Sequence, residues 1–81
     1  MDKNELSKVK EIVNSIMGID ITSLDPEKKF NSIPEWDSFN NLMLISKFQD
    51  EFRIEFTAVE IENTQRVKDL FSLIENKIKS N

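Results

Sequence analysis

Few residues in this chain could do covalent chemistry, and one serine stands apart from the rest. Ser38 directly follows Asp37 and lies where a long irregular stretch gives way to a helical pattern. Serine and aspartate are both favoured at a helix N-terminus, where a side-chain oxygen accepts from an unpaired backbone N–H; the simplest role for Ser38 is therefore a cap or first-turn residue. The other role is chemical. A phosphate ester on its hydroxyl would be stabilised by the unpaired amides and positive dipole end of the helix that begins there. A second cluster, Asp50, Glu51, Glu55, Glu60 and Glu62, is opposed within its span by Arg53 alone. It reads as a solvated face or, functionally, as a docking surface for basic partners. The ligand spacing and turn glycine of an EF-hand are missing, and carboxylates paired for glycoside cleavage need a cleft that so short a chain does not provide.

What is missing narrows the chemistry further. There is no Cys and no His. This excludes disulfide scaffolds, thiol nucleophiles, thiolate metal sites, the commonest zinc ligand and the usual general base, so no catalysis and no metal are expected of the chain on its own. Eleven Lys and Arg against fifteen Asp and Glu give a net charge of −4 and a pI near 4.8, which repels nucleic-acid backbones and anionic membrane surfaces. Met1 to Glu5 leads into an amphipathic pattern, and no apolar run approaches membrane-spanning length. A cytoplasmic protein with no membrane insertion is expected.

The elements that must position Ser38 follow from periodicity. At 81 residues, 38% apolar and 32% charged, the chain is expected to form a single domain over residues 1–81. Leu6, Val9, Ile12, Val13, Ile16 and Met17 recur at helical spacing, with Asp2 and Glu5 resembling a capping box and Gly18 placed for a left-handed C-cap. From Gly18 to Trp36 the period fails; Pro26 and Pro34 interrupt it, and a long loop results, pinned by Ile19, Ile21, Leu24, Phe30, Ile33 and Trp36, with a short helical turn expected at Pro26. A second helix runs from Ser38 to Phe52. Its Leu42-Met43-Leu44-Ile45 run sweeps about 300° around the axis, more than one buried stripe can cover. Leu44, Ile45, Phe48 and Phe52 are assigned to the core. Phe39, Leu42 and Met43 either pack under the loop or form a partner surface. Thr57 to Glu60 matches a capping box and opens a short helix to about Glu62, and Val67, Leu70, Phe71, Ile74 and Ile78 mark a last helix with Lys77 and Lys79 near its C-terminus. The expected fold is all-α: an irregular four-helix bundle with a long first loop and a short third helix.

Asp37-Ser38-Phe39, the helix that follows to Phe52, and Ile54-Glu55-Phe56 together resemble the acyl carrier protein family, in which an Asp-Ser-Leu signature opens helix two. The similarity continues through Thr57 to Glu62 and Thr64 to Leu70, so it spans nearly the whole chain. The resemblance implies that Ser38 carries a covalent 4′-phosphopantetheine arm, transferred from coenzyme A by a phosphopantetheinyl transferase. The arm's thiol would hold acyl or aminoacyl groups as thioesters, and the catalysis would belong to partner enzymes. Those partners would be a loading ligase or transferase and downstream acyl-transfer or condensing enzymes, all served by a monomeric carrier. Asp37 would supply local recognition, and Phe39, Leu42, Met43, Asp50 and Glu51 the partner surface.

Several residues depart from the pattern. Phe39 replaces the customary Leu, and Asn40 and Met43 stand where fatty-acid carriers usually place acids, which favours an apolar contact over electrostatic steering. Trp36 before the Asp points towards a carrier for a dedicated pathway, away from general fatty acid biosynthesis. A cofactor-free helical interaction module using the apolar surface of helix two is the alternative.

Overall fold

The computed structural model describes residues 1–80, and its first helix begins where the capping pattern places it. Asp2 caps α1 (Lys3–Met17): its carboxylate accepts from the Glu5 N–H at 2.8 Å, and the Glu5 carboxylate accepts from the Asp2 N–H at 3.0 Å. The helix ends at Gly18, whose φ of 71° is left-handed and whose N–H reaches the Asn14 carbonyl. A β-carbon there would meet nothing within 4 Å. Glycine is favoured there by backbone conformation alone, which costs most other residues about 1–2 kcal/mol.

Three more helices follow: α2 (Ser38–Phe52), α3 (Ala58–Asn63) and α4 (Val67–Ser80). The described residues include no named strand, only a single antiparallel bridge between Lys29 and Arg66. α1 packs against α2. The α2 helix stops at Arg53, where φ is 54°, and α3 opens on a second capping box: the Thr57 hydroxyl accepts from Glu60 N–H and the Glu60 carboxylate from Thr57 N–H. Both end helices extend past the apolar pattern, α1 back to Lys3 and α4 on to Ser80, because capping and dipole interactions sustain turns that bury little.

The long loop is anchored along its length. Ile21, Phe30, Ile33 and Trp36 are buried, while Ile19 and Leu24 are half-buried. Its helical turns are 3₁₀ segments at Ile21–Ser23 and Phe30–Ser32. At Pro26 there is a single turn that does not extend into a helix: the Asp25 carboxylate accepts from Glu27 N–H and its carbonyl from Lys28 N–H. Beyond that turn the loop meets the start of α4. Lys68 N–H donates to the Pro26 carbonyl at 2.9 Å and Val67 N–H to the Lys28 carbonyl at 3.0 Å, while Phe30 N–H donates to the Gln65 carbonyl at 2.9 Å. Loop carbonyls thus satisfy amides that a helix N-terminus leaves orphaned.

Val9, Val13, Ile21, Leu44, Phe48, Val67 and Ile74 form the most deeply buried part of the core, with Phe52, Phe56 and Phe71 packed around it. Of the α2 residues assigned to the core, Leu44 and Phe48 are buried and Ile45 and Phe52 half-buried. Charge pairs fasten the C-terminal side: Lys77 to Glu60 at 2.8 Å, and Glu75 to the Met1 ammonium at 3.0 Å and to Lys79 at 3.2 Å. The hydrogen bond from Lys77, then the Thr57 amide, holds the Glu60 carboxyl below the ordinary glutamate value. The Met1 ammonium and then Lys79 do the same for Glu75. No helix is long and apolar enough to cross a membrane among the described residues.

Candidate functional site

At the loop's end the cap and the serine divide their roles. Asp37, extended at φ −90° and ψ 177°, is the N-cap of α2, its carboxylate accepting from Asn40 N–H at 2.8 Å and its carbonyl from Asn41 N–H at 2.9 Å. Ser38 is the first helical residue, so its hydroxyl is not used for capping. It is exposed and has no hydrogen-bond partner among the described residues. The backbone amides of Ser38 and Phe39 are also unpartnered, being first-turn donors. The Asn40 side chain donates to the Glu35 carbonyl at 2.8 Å, which ties the loop to the helix beside the serine.

Ser38 borders an open groove whose floor is aromatic. Phe30 and Trp36 stack there with ring centroids 4.0 Å apart and planes 13° from parallel. The Trp36 indole N–H donates to Asn41 Oδ1 at 2.9 Å. Behind the groove lies a small cavity of about 20 Å³, lined by Ile45, Phe56, Ile61, Leu70 and Leu73, with space for about one water. Phe30, Asn41 and Thr64 line both spaces and form the threshold between them. From Phe30 to Ser46 the only charged side chains are Glu35 and Asp37. The described residues hold no cluster of three or more potential metal ligands.

The remaining site residues predicted from the sequence separate into two groups. Phe39, Leu42 and Met43 do not pack under the loop; they are 70%, 64% and 41% exposed. Angular position on a 3.6-residue helix puts Asp50 on the same face and Glu51 about 100° away. Glu51 turns towards α1 and pairs with Lys8 at 3.2 Å. Two features escaped the sequence reading. Val59 on α3 is 64% exposed, although its residue type suggests burial. Asn41 makes a tertiary hydrogen bond, and an asparagine inside an apolar run was the available signal.

No protein-family model matches the chain. The acyl carrier protein of Solidesulfovibrio magneticus is 34% identical over 70 residues, covering 86% of this chain and 90% of its own length. That of Thermosynechococcus vestitus is 33% identical over 79 residues, 96% of this chain and 98% of its own. A crystal structure of an acyl carrier protein from Thermotoga maritima superposes with a TM-score of 0.74 at 31% identity, covering 96% of this chain and 91% of that one. These likenesses do not favour a cofactor-free interaction module. The chain belongs to the acyl carrier protein family, whose members hold acyl groups on a 4′-phosphopantetheine attached to a serine and carry them between enzymes without catalysing their reactions.

Proposed function

We propose that Ser38 bears the phosphopantetheine arm and that the groove beside it receives the arm's first segment. The observation that carries this reading is the exposed, unbonded Ser38 hydroxyl at the first position of α2, with Asp37 already serving as cap. The surroundings fit the group. Two unpartnered amides and the helix dipole favour a phosphodiester, and the aromatic floor offers apolar surface to the arm. When bound, the group supplies the thiol that this Cys-free chain lacks. The protein's part is to orient the arm and present it to other enzymes.

Asp37 holds the local backbone that a phosphopantetheinyl transferase reads. Phe39, Leu42 and Met43, with Asp50 on the same face, form the surface for the transferase, for a loading ligase or transferase and for downstream acyl-transfer or condensing enzymes. Glu51, at the margin of this face and 44% exposed in its pair with Lys8, adds a second acid for a basic partner. The apolar character of the face supports service in a dedicated pathway, by a single-domain, monomeric cytoplasmic carrier spanning residues 1–81.

The test is intact mass before and after incubation with coenzyme A, magnesium and a broad-specificity phosphopantetheinyl transferase, with Ser38→Ala alongside. The expected result is a gain of one phosphopantetheine by the wild type alone. A gain by the variant would move the attachment elsewhere.

A further inference from the structure

The threshold between the groove and the cavity has a fixed polarity. An indole N–H is only a donor, so the side-chain amide of Asn41 must turn its oxygen to Trp36, and its NH₂ is directed away. That NH₂ has no partner among the described residues. It is not sealed in either, because no buried side-chain nitrogen or oxygen of the described residues lacks a partner. Across the threshold, Thr64 spends its hydroxyl proton on the Glu60 carbonyl at 2.7 Å and keeps its lone pairs. Two anchored polar groups therefore flank the passage, and Asn41 is the donor. Three residues after Ser38, Asn41 stands one turn along α2, on a neighbouring face.

We propose that Asn41 is a positioning residue for the arm: its NH₂, aimed by Trp36, donates to an acceptor oxygen in the arm's first segment and steers the arm over the threshold instead of leaving it in solvent. The proposal rests on attachment at Ser38. Chemistry supports a contact with the arm itself, because a donor one turn from the attachment point meets the part nearest the phosphate, whatever cargo the thiol holds. The Phe30–Trp36 stack keeps the indole in place, so the donor is oriented before the arm arrives.

The test uses the full chain in apo and holo forms. Intact mass first establishes conversion; a chain that gains no phosphopantetheine overturns the attachment reading, and this proposal with it. In the converted protein, the Asn41 side-chain amide resonances should shift between apo and holo forms, while those of the exposed Asn76, far along α4 from the end that meets the loop, serve as the internal reference and stay. The second readout is the rate at which the holo thiol reacts with a small maleimide. Asn41→Asp keeps an acceptor for Trp36 and removes the donor, and should raise that rate about three- to tenfold, the size expected of one neutral hydrogen bond. Trp36→Phe, which leaves Asn41 intact and unaimed, should raise it in the same direction and decides the matter if the Asp variant does not fold. Asn41 resonances that do not move in a converted protein, or folded variants with wild-type maleimide rates, would overturn the proposal. A merely structural Asn41 predicts wild-type behaviour for Asn41→Asp.

Discussion

The two ends of α2 are built to opposite rules. From Ser38 to Ser46 the helix has no charged side chain, yet Phe39, Leu42 and Met43 stand out from the surface. From Lys47 onward charges return, and Glu51 reaches across to Lys8 on α1. The second end is tied to α1 through that pair and buries Phe48, while Asp50 stays exposed on the same face as the apolar side chains. The first exposes apolar area that the chain does not cover, and exposed apolar side chains add nothing to burial energy. One helix thus serves both as scaffold and as contact surface, divided by face, with the apolar part of the contact face confined to its first half.

The largest expected effect tests the open end directly. Ser38→Ala should abolish phosphopantetheine attachment by intact mass while remaining within about 0.5 kcal/mol of wild-type stability, since an exposed side chain without partners is lost. Next, the buried and exposed faces should separate under denaturant. Phe48→Ala should cost about 3–5 kcal/mol through lost burial and the cavity left behind, whereas Leu42→Ala should stay within about 0.5 kcal/mol; equal losses would erase the distinction. A smaller effect is expected at the contact surface. Phe39→Ala should lower the transferase's kcat/KM by about 1–2 kcal/mol equivalent with little salt dependence, as truncation of an apolar anchor does. Asp50→Asn should do less, and its effect should fade as salt rises, since exposed charges are screened. The smallest effect lies on the closed side of the protein. The carboxyls of Glu60 and Glu75 are held below the ordinary glutamate value of 4.5. Their stabilisation is therefore full above that value and lost as pH falls through the lowered folded-state values. Thermal melts should show declining stability over that acidic range, and Glu60→Gln should flatten the decline.

Much of the frame was legible because its signals are local. Asp2 with Glu5 and Thr57 with Glu60 are three residues apart, and the buried stripe of α1 repeats within one helix, so spacing alone located those elements. The family signature around Ser38 is likewise contiguous. What could not be read joins distant residues. The bond from Trp36 to Asn41 depends on the path by which the loop returns, since an asparagine in an apolar run equally suits a solvent-facing position. Glu51 reads like its neighbour Asp50 until α1 is known to lie beside it. The apolar run from Leu42 to Ile45 did show that some of its surface must escape the core, and the stripes named Leu42 and Met43, with Phe39, as the residues outside it; that they stand exposed instead of packing under the loop depended on the path the loop takes.

The way α4 begins ties the exposure of its first amides to the loop. Its first amides, Val67 and Lys68, are received by carbonyls some forty residues earlier, at Lys28 and Pro26. The opening turn itself is closed locally, by the Arg66 carbonyl receiving Asp69 and Leu70 N–H and by the Asp69 carboxylate receiving Gln65 and Arg66 N–H; the loop supplies the partners of the two amides that this local cap leaves over. Release of the loop should expose those two amides, so hydrogen exchange at Val67 and Lys68 should time the opening of the segment that also carries Phe30 and Trp36. A distant loop thereby acts as a latch that makes the last helix report on the state of the groove.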